Sequence, residues 1–565
     1  MKRILPNTCG RLASILMLLF GMLLPASAET YYVNGIEYGM DKDGNVYVYG
    51  LQNKSEFTGP LHIPATVTLN GVDYPVAYIE DEAFKNVERI ESVTIEEGLW
   101  AIGGGAFQGC SGLRSVSLPS TLTTMFNYVF SNCDGLTSVT IPDNVTTMGD
   151  YTFYNCDNLE EVTLGVNLVL KGQYNFQYCP KLHTLNINCK TLPDWACRDL
   201  TSLMHVNFGP EVETIGSRCF NGCTLLEEIV LPASVKSVGD NAFRACTALK
   251  SVKVMGSQTV IADKSFLETA LETVYTNQET VTGFVSCTNL TTVTFGDDAR
   301  KIGKNAFWKC SGLVNIDLPS QITSIGYSSF QSCTALETIT MKSVTYIDAY
   351  AFFKCSNLVQ VKFSDNLETI YESAFEYCTS LGYLTFPKSL RKVKDYAFRN
   401  SELRGAIFQE GVTTFGAAAL NSSQLEELEL PSTVTSIGNS FMMGNQGLKK
   451  LTVHWTTPPE GSNRNWFGYY DATLYVPEGS EENYKNTIPW KYFKTMETIP
   501  STTVIKGDAN GDGTVDVADV VAIVNYILEK PGESFVFEAA DINRDGTVDV
   551  SDVVSTVNII LKGGE

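Results

Sequence analysis

The stretch Lys301-Ile-Gly-Lys-Asn-Ala-Phe-Trp-Lys-Cys310, followed by Leu313-Val-Asn-Ile-Asp-Leu-Pro319, recurs with small changes along most of the chain. The next copy sets Gly326, Phe330, Cys333, Leu336, Ile339 and Met341 in the same places. Counted outward, the anchoring Phe returns at Phe84, Phe107, Phe130, Phe153, Phe176, Phe220, Phe243, Phe266, Phe284, Phe307, Phe330, Phe352, Phe375, Phe398 and Phe441, mostly in steps of 22 or 23 residues. A fixed period of this length marks a solenoid, whose units bury their apolar edges only by stacking on one another. Within one copy, Leu313, Ile316 and Leu318 alternate with Asn315 and Asp317, a period of two that predicts a strand ending at Pro319. An Ile325-Gly326 step follows, read as a tight turn that glycine tolerates, and then a compact segment whose Phe fills the coil. Seventeen units are expected when degenerate ones at Cys197 and Leu420 are counted. The period shortens near Leu192-Pro-Asp-Trp-Ala-Cys197 and again between Gly256 and Phe284.

Eleven cysteines share one slot: Cys110, Cys133, Cys156, Cys179, Cys223, Cys246, Cys287, Cys310, Cys333, Cys355 and Cys378. The number is odd, and single units replace Cys by Leu200, Thr269, Ser401 or Ser423, which speaks against obligatory disulfides. Side chains in register also point the same way, so a ladder of small buried thiols is expected. Cys189, Cys197 and Cys219 lie outside this slot, and a bridge among them is the expected exception. No Cys/His spacing suits zinc.

The pattern Leu-x-x-Val-x-Leu-Pro-x-x-Val-x-x-Ile-Gly-x-x-Ala-Phe-x-x-Cys resembles the BspA-like subfamily of leucine-rich repeats. The resemblance implies a leucine-rich-repeat solenoid with a parallel β-sheet, short turns or helical segments, and adhesion to extracellular proteins or other cells. It transfers no binding residue. Outward strand positions such as Thr292, Thr294, Asn315, Asp317, Thr338 and Thr340 are mostly hydroxyl-bearing, and only Tyr275 and Tyr383 add aromatics. Such residues suit any exposed strand, and repeat arrays also bind through this face.

Residues 1–28 read as a secretory signal, with Lys2, Arg3 and Arg11 before an apolar run and Ala26-Ser-Ala28 as the cleavage site. Its removal takes the net charge from −22 to −25, which argues against nucleic acid and anionic membrane. No later run approaches the roughly 20 apolar residues of a membrane span. The protein is therefore expected to be secreted or at the cell surface. Residues 29–78 read as an N-terminal β cap, 79–455 as the repeats, 456–499 as a C-terminal cap and 500–505 as a linker. In the C-terminal cap, Thr473-Leu-Tyr-Val476 reads as a strand and Ser480 as the N-cap of a short helix.

Residues 506–565 carry the clearest chemistry. Asp508, Asn510, Asp512, Asp516 and Asp519 stand at loop positions 1, 3, 5, 9 and 12, with Gly513 at 6 and the Thr514 carbonyl at 7. Thirty-three residues on, Asp541, Asn543, Asp545, Thr547, Asp549 and Asp552 repeat the set. This spacing wraps hard oxygen ligands around Ca²⁺, so two ions are expected. Unlike an EF-hand, position 12 is Asp and no entering helix precedes the first loop. Helices are predicted from about Val517 to Leu528 and from about Ser551 to Leu561. Val520, Ile523, Val524 and Ile527, with Val553, Val557, Ile560 and Leu561, are expected on the sides that share a small core.

This tail resembles a type I dockerin. The resemblance implies a cohesin-bearing partner, chosen in part by loop positions 10 and 11, here Val517-Ala518 and Val550-Ser551. No nucleophile motif or phosphate loop points to an enzyme. The expected function is an interaction scaffold binding an extracellular protein or surface ligand; the alternative is a glycan-binding accessory subunit of a polysaccharide-degrading complex, with a sugar platform near Trp466, Trp490 or Trp308.

Overall fold

The computed structural model describes residues 30–170, 174–459, 466–499, 505–528, 530, 532, 534–543 and 547–561. The signal segment, the 500–504 linker stretch and Asp545 lie outside them. The chain divides into two units, one covering Met1–Lys449 with Gly461–Tyr469, the other Lys450–Glu460 with Tyr470–Glu565.

In the first unit each coil contributes two short parallel strands. The longer, such as Asn315–Leu318, pairs in register with its successor Thr338–Met341; its Ile316 and Leu318 are buried and Asn315 and Asp317 exposed, as the period of two requires. The shorter, such as Ser324–Ile325, forms a second narrow sheet that the period did not foretell. This second sheet is interrupted between Val169–Leu170 and Thr191–Leu192 and between Val260–Ile261 and Thr280–Val281, the two places where the repeat shortens. At the N-terminal end, Tyr31–Val33, Ile36–Met40 and Val46–Leu51 form an antiparallel meander. Val46–Leu51 then pairs in parallel with Val72–Ile79, and Gly59–Ile63 with Ile90–Ile95, so the parallel stacking begins before the first Phe.

The compact segment that closes each coil holds the core. From Phe84 to Phe176, and again from Phe220 to Phe398, successive anchoring rings lie 5.0–6.1 Å apart and within 16° of parallel. Each buried ring contributes about 2–3 kcal/mol. Where Leu420 replaces Phe, Phe408 and Phe415 pack at 4.8 Å, and Phe415 reaches Phe441 at 4.8 Å. The cysteine ladder has a polar role besides its volume. Each thiol of the ladder points to the carbonyl of the residue in the Phe slot one coil back, Cys110 to Phe84 at 3.1 Å, Cys310 to Phe284 at 3.0 Å, Cys333 to Phe307 at 3.1 Å and Cys223 to Cys197 at 3.3 Å. Ser423 makes the same bond to Phe398 at 2.7 Å, whereas Thr269 and Ser401 turn to the Phe of their own coil at 2.8 and 2.7 Å.

All fourteen described cysteines are free and buried, which corrects the expected bridge among Cys189, Cys197 and Cys219. Each is a core residue in another slot: Cys197 stands where Phe would, Cys219 where the preceding Ala would, and Cys189 in the place of Ile322. The Ile-Gly step also has a different cause from the one expected. Gly326 is not left-handed; a Cβ there would lie 2.7 Å from the Ile302 carbonyl of the coil before. Close stacking demands the glycine.

In the second unit, Lys450–Val453, Thr473–Val476 and Thr495–Thr498 form a parallel sheet. Helix α1, Glu481–Asn486, starts at Ser480, but that hydroxyl donates back to the Pro477 carbonyl at 2.5 Å and caps no amide. Trp490 is fully buried, donates to the Pro459 carbonyl at 2.9 Å and packs on Trp455 and Tyr484. In the first unit Trp466 is buried as well. Neither presents a face on which a sugar could stack, because both rings are spent on packing.

Candidate metal centre and docking face

Three helices follow in the tail: α2, Val517–Ile527; α3, Phe537–Ala540, which the sequence did not suggest; and α4, Val550–Leu561. The first loop curls because Gly507, Gly511 and Gly513 take φ of 101°, 72° and 91°. Its carboxylates turn inward onto backbone amides. Asp508 accepts from Asp512 N at 3.0 Å and Gly513 N at 2.8 Å, Asn510 Oδ1 from Asp512 N at 2.8 Å, and Asp512 from Thr514 N at 2.9 Å. Asp519 accepts from Asn510 N at 3.0 Å and Asp516 N at 2.8 Å, and Asp516 from Ala518 N at 2.7 Å. Asp516 and Asp519 thereby form a reciprocal capping box at the start of α2, so loop positions 9 and 12 also satisfy the helix's orphan amides.

The second loop repeats this arrangement. Asp552 accepts from Asn543 N at 3.3 Å and Asp549 N at 3.1 Å, and Asp549 from Ser551 N at 2.7 Å. Asp541 is buried, and Thr547 sits at position 7 as in the first loop.

Asp519 and Asp552 are fully buried. Burial, reinforced by the carboxylates of Asp508 and Asp512, pushes Asp519 above its ordinary value, while hydrogen bonds from Thr514 and Asn510 hold Asp512 below its own. Among the described residues no Lys or Arg pairs with Asp508, Asp512, Asp516, Asp519 or Asp552. Nor, among those residues, do three acidic, imidazole or thiol groups gather as tightly as around a bound ion. The donor set is nonetheless all hard oxygen, and among the described residues the buried carboxylates of Asp519 and Asp552 have no Lys or Arg paired with them; that chemistry fits calcium.

Val517, Ala518, Val550 and Ser551 are all exposed in the first turns of α2 and α4. The helix faces differ from expectation. The small core takes Ala509, Ile523, Ala540 and Val548, with Tyr526 stacked on Phe535 at 4.5 Å. Val524, Val557 and Leu561 face outward instead, because each helix carries two apolar stripes and the core accommodates only one. The outer stripe is Val517, Val521, Val524 and Leu528 on one helix and Val550, Val554, Val557 and Leu561 on the other, every member exposed. The two sets are 33 residues apart throughout. At the matching inner position Ile523 is replaced by Thr556, whose hydroxyl bonds the Asp552 carbonyl at 2.8 Å.

On the strand face of the repeats the polar side chains bond one another. Asn186 donates to Glu161 at 2.6 Å, Asn207 to Asn186 at 2.8 Å, and Lys342 pairs with Asp317 at 3.0 Å.

Taken together, the stacked coils and the duplicated loop-helix tail define a repeat scaffold with a docking module. The chain belongs to the BspA type leucine rich repeat region family, whose model matches residues 77–197, 172–284, 280–381 and 345–457. Its tail carries a dockerin type I domain over residues 506–561. Both are interaction modules without catalytic function, and proteins built from them are secreted or held at the cell surface. Among the described residues no helix is long and apolar enough to cross a membrane. Similar solved structures include a leucine-rich repeat protein from Bacteroides ovatus ATCC 8483, 25% identical with a TM-score of 0.37, covering 64% of this chain and 95% of that one. A leucine rich cell surface protein from Faecalibacterium prausnitzii A2-165 is 22% identical with a TM-score of 0.31 and coverage of 76% and 95%. The T. pallidum leucine rich repeat protein is 23% identical, TM-score 0.31, covering 35% and 91%. No curated protein matches the chain.

Proposed function

We propose that the tail takes up two Ca²⁺ ions and, so ordered, docks onto a cohesin, while the repeats of residues 79–455 hold an extracellular protein or glycan. One ion is assigned to Asp508, Asn510, Asp512, Asp516, Asp519 and the Thr514 carbonyl, the other to Asp541, Asn543, Asp545, Asp549, Asp552 and the Thr547 carbonyl. The observation that carries the docking reading is the matched pair of exposed aliphatic stripes beginning at Val517 and Val550. Exposed valines repeated in the same register on two helices have no packing role inside the tail, and a partner's apolar surface is what would cover them. The ions act at a distance from these side chains, by fixing the loops from which α2 and α4 start.

The test measures binding of the full chain to purified type I cohesin domains, with calcium and with chelator. Capture that needs calcium and weakens about tenfold or more in the Val521→Asp, Val554→Asp double variant is the expected result. Each single variant should lose less, since the other helix still offers its stripe. Capture indifferent to calcium, or to both substitutions, would overturn the reading.

A further inference from the structure

Along the closing turns, the residues two before and two after most anchoring Phe residues take left-handed backbone, as at Asn305 (φ 56°) and Lys309 (φ 61°). Asn241, Gly222 and Ser328 fill such slots at little cost. Rings also stand there: Tyr128, Tyr151, Tyr174 with Tyr178, and Trp195 in four successive coils, with φ from 56° to 67°, and Tyr350, Tyr377 and Tyr396 further along. A bulky residue is an outlier in this region. Tyr174, Tyr178 and Trp195 are 51%, 61% and 42% exposed, so their contacts with Tyr151, Tyr154, Arg198 and Arg218 leave much of each ring open.

These rings border an opening in the stack. The closing turns before and after are laddered by backbone bonds, Phe130 N to Thr152 O at 2.9 Å and Phe153 N to Asn175 O at 3.1 Å on one side, Trp195 N to Ser217 O at 3.1 Å and Cys197 N to Cys219 O at 2.9 Å on the other. Among the described residues no such bond joins 174–180 to 193–202. The two-residue sheet stops at the same place, yet Thr184–Ile187 and His205–Phe208 stay paired. The coils are therefore held along the longer strands and splayed at the turns, leaving a cleft of 1320 Å³. At the second short repeat the short-strand side is filled instead: Gln278 is fully buried there, donating to the Thr259 carbonyl and accepting from the Thr276 hydroxyl, both at 2.9 Å.

We propose that this cleft binds a neutral oligosaccharide, with a sugar ring seated on Tyr174. The stack Tyr128–Tyr151–Tyr174, with centroids 4.9 and 5.4 Å apart, ends at Tyr174 beside the cleft. On the other wall the Trp195 ring carries two guanidinium groups, Arg198 at 4.6 Å and Arg218 at 4.5 Å, and Arg198 pairs with Asp199 at 3.0 Å. Sugar rings offer C–H faces to the electron-rich faces of aromatics and a rim of hydroxyls to planar polar groups, here Asp194, Arg198 and Asp199. The carboxylates on the rim and the net charge of −22 disfavour a nucleotide or polyanion. An extended peptide joining a sheet needs an unpaired strand edge; the longer strands beside the cleft are paired, and the edges open there, Val169–Leu170 and Thr191–Leu192, are two residues long, too short to hold one by main-chain bonds. The proposal rests on the repeats being the ligand-binding part of the chain and names their ligand class.

The substitutions Tyr174→Asn and Tyr178→Asn introduce a residue that tolerates left-handed backbone better than Tyr, so the fold should melt no earlier than the original. Full chain and variants are screened on an array of neutral plant and microbial glycans, and hits are titrated in solution. Binding of a neutral glycan that weakens about tenfold or more in the double variant, and is unchanged in Tyr383→Ala on the strand face, is expected. A blank array, or affinity untouched by the double variant, would overturn it. Calcium-dependent cohesin binding, measured on the same samples, should be intact in every variant, which separates failure of this site from failure of the docking reading.

Discussion

Cys333 shows what the repeat asks of a single residue. Its thiol fills a space closed on all sides and points at the Phe307 carbonyl at 3.1 Å, which also accepts the Cys310 amide at 3.1 Å. The slot thus wants a small side chain with a donor, and Ser423 meets that need as well as Cys does. Cys333→Ala should therefore cost about 1 kcal/mol through the lost bond and the small void, and Cys333→Ser clearly less, measured as shifts in the denaturant midpoint. A Ser variant less stable than the Ala variant would contradict the donor role. Burial also pushes the Cys333 thiol well above its ordinary value and Cys110 to about 12, so these two are poor nucleophiles while the coil is folded. The spacing alone made Phe and Cys legible as interior positions. The thiol's acceptor was not legible, because it lies 25 or 26 residues away on another coil. The exposed tyrosines were not legible for a different reason: the slots beside Phe hold Asn, Gly, Ser, Lys, Arg, Glu and Tyr, a mixture whose shared feature is left-handed backbone.

At the scale of an element, α2 shows how loop and helix depend on the same atoms. Asp516 accepts the Ala518 amide while Asp519 accepts that of Asp516, so the carboxylates assigned to calcium also start the helix. The two roles separate by substitution. Asp516→Asn keeps a capping oxygen and removes a charge, and should retain the helix at saturating calcium while needing about tenfold more of it. Asp516→Ala removes the cap as well, at a further cost of about 1 kcal/mol; helical circular dichroism followed along a calcium titration tells them apart. Equal behaviour of the two variants would mean that the cap contributes nothing. Helix existence was readable from spacing, as α2 and α4 fall within a residue or two of the predicted bounds. Which apolar stripe turns inward was not readable. Val520, Ile523 and Ile527 compete with Val517, Val521 and Val524 on the same helix, and only the size of the core, set by Ala509, Ala540 and Val548 from elsewhere in the chain, decides between them.

At the scale of the whole molecule the two ends of the chain are stabilised by different physics. The repeats gain from a continuous ladder of rings and strands in which every coil buries its neighbours, and no ion enters that account. Among the described residues the tail's core centres on Ala509, Ile523, Ala540 and Val548, with a few partly buried neighbours such as Tyr526 and Phe535, a small core for offsetting conformational entropy. It also buries Asp519 and Asp552 without, among the described residues, an ion pair to Lys or Arg. Divalent cations at the two loops would supply both deficits, since their binding energy is folding energy for a site absent from the unfolded chain. Calcium at a hundred times its dissociation constant adds about 2.7 kcal/mol per site. Heating the full chain should then give two transitions: a lower one, carrying the helical signal, that moves upward with calcium and disappears in chelator, and an upper one, carrying the β signal, that ignores both. A helical signal unaltered by chelator, or a single transition whose midpoint follows calcium throughout, would show that the ions do not hold the tail together independently of the repeats.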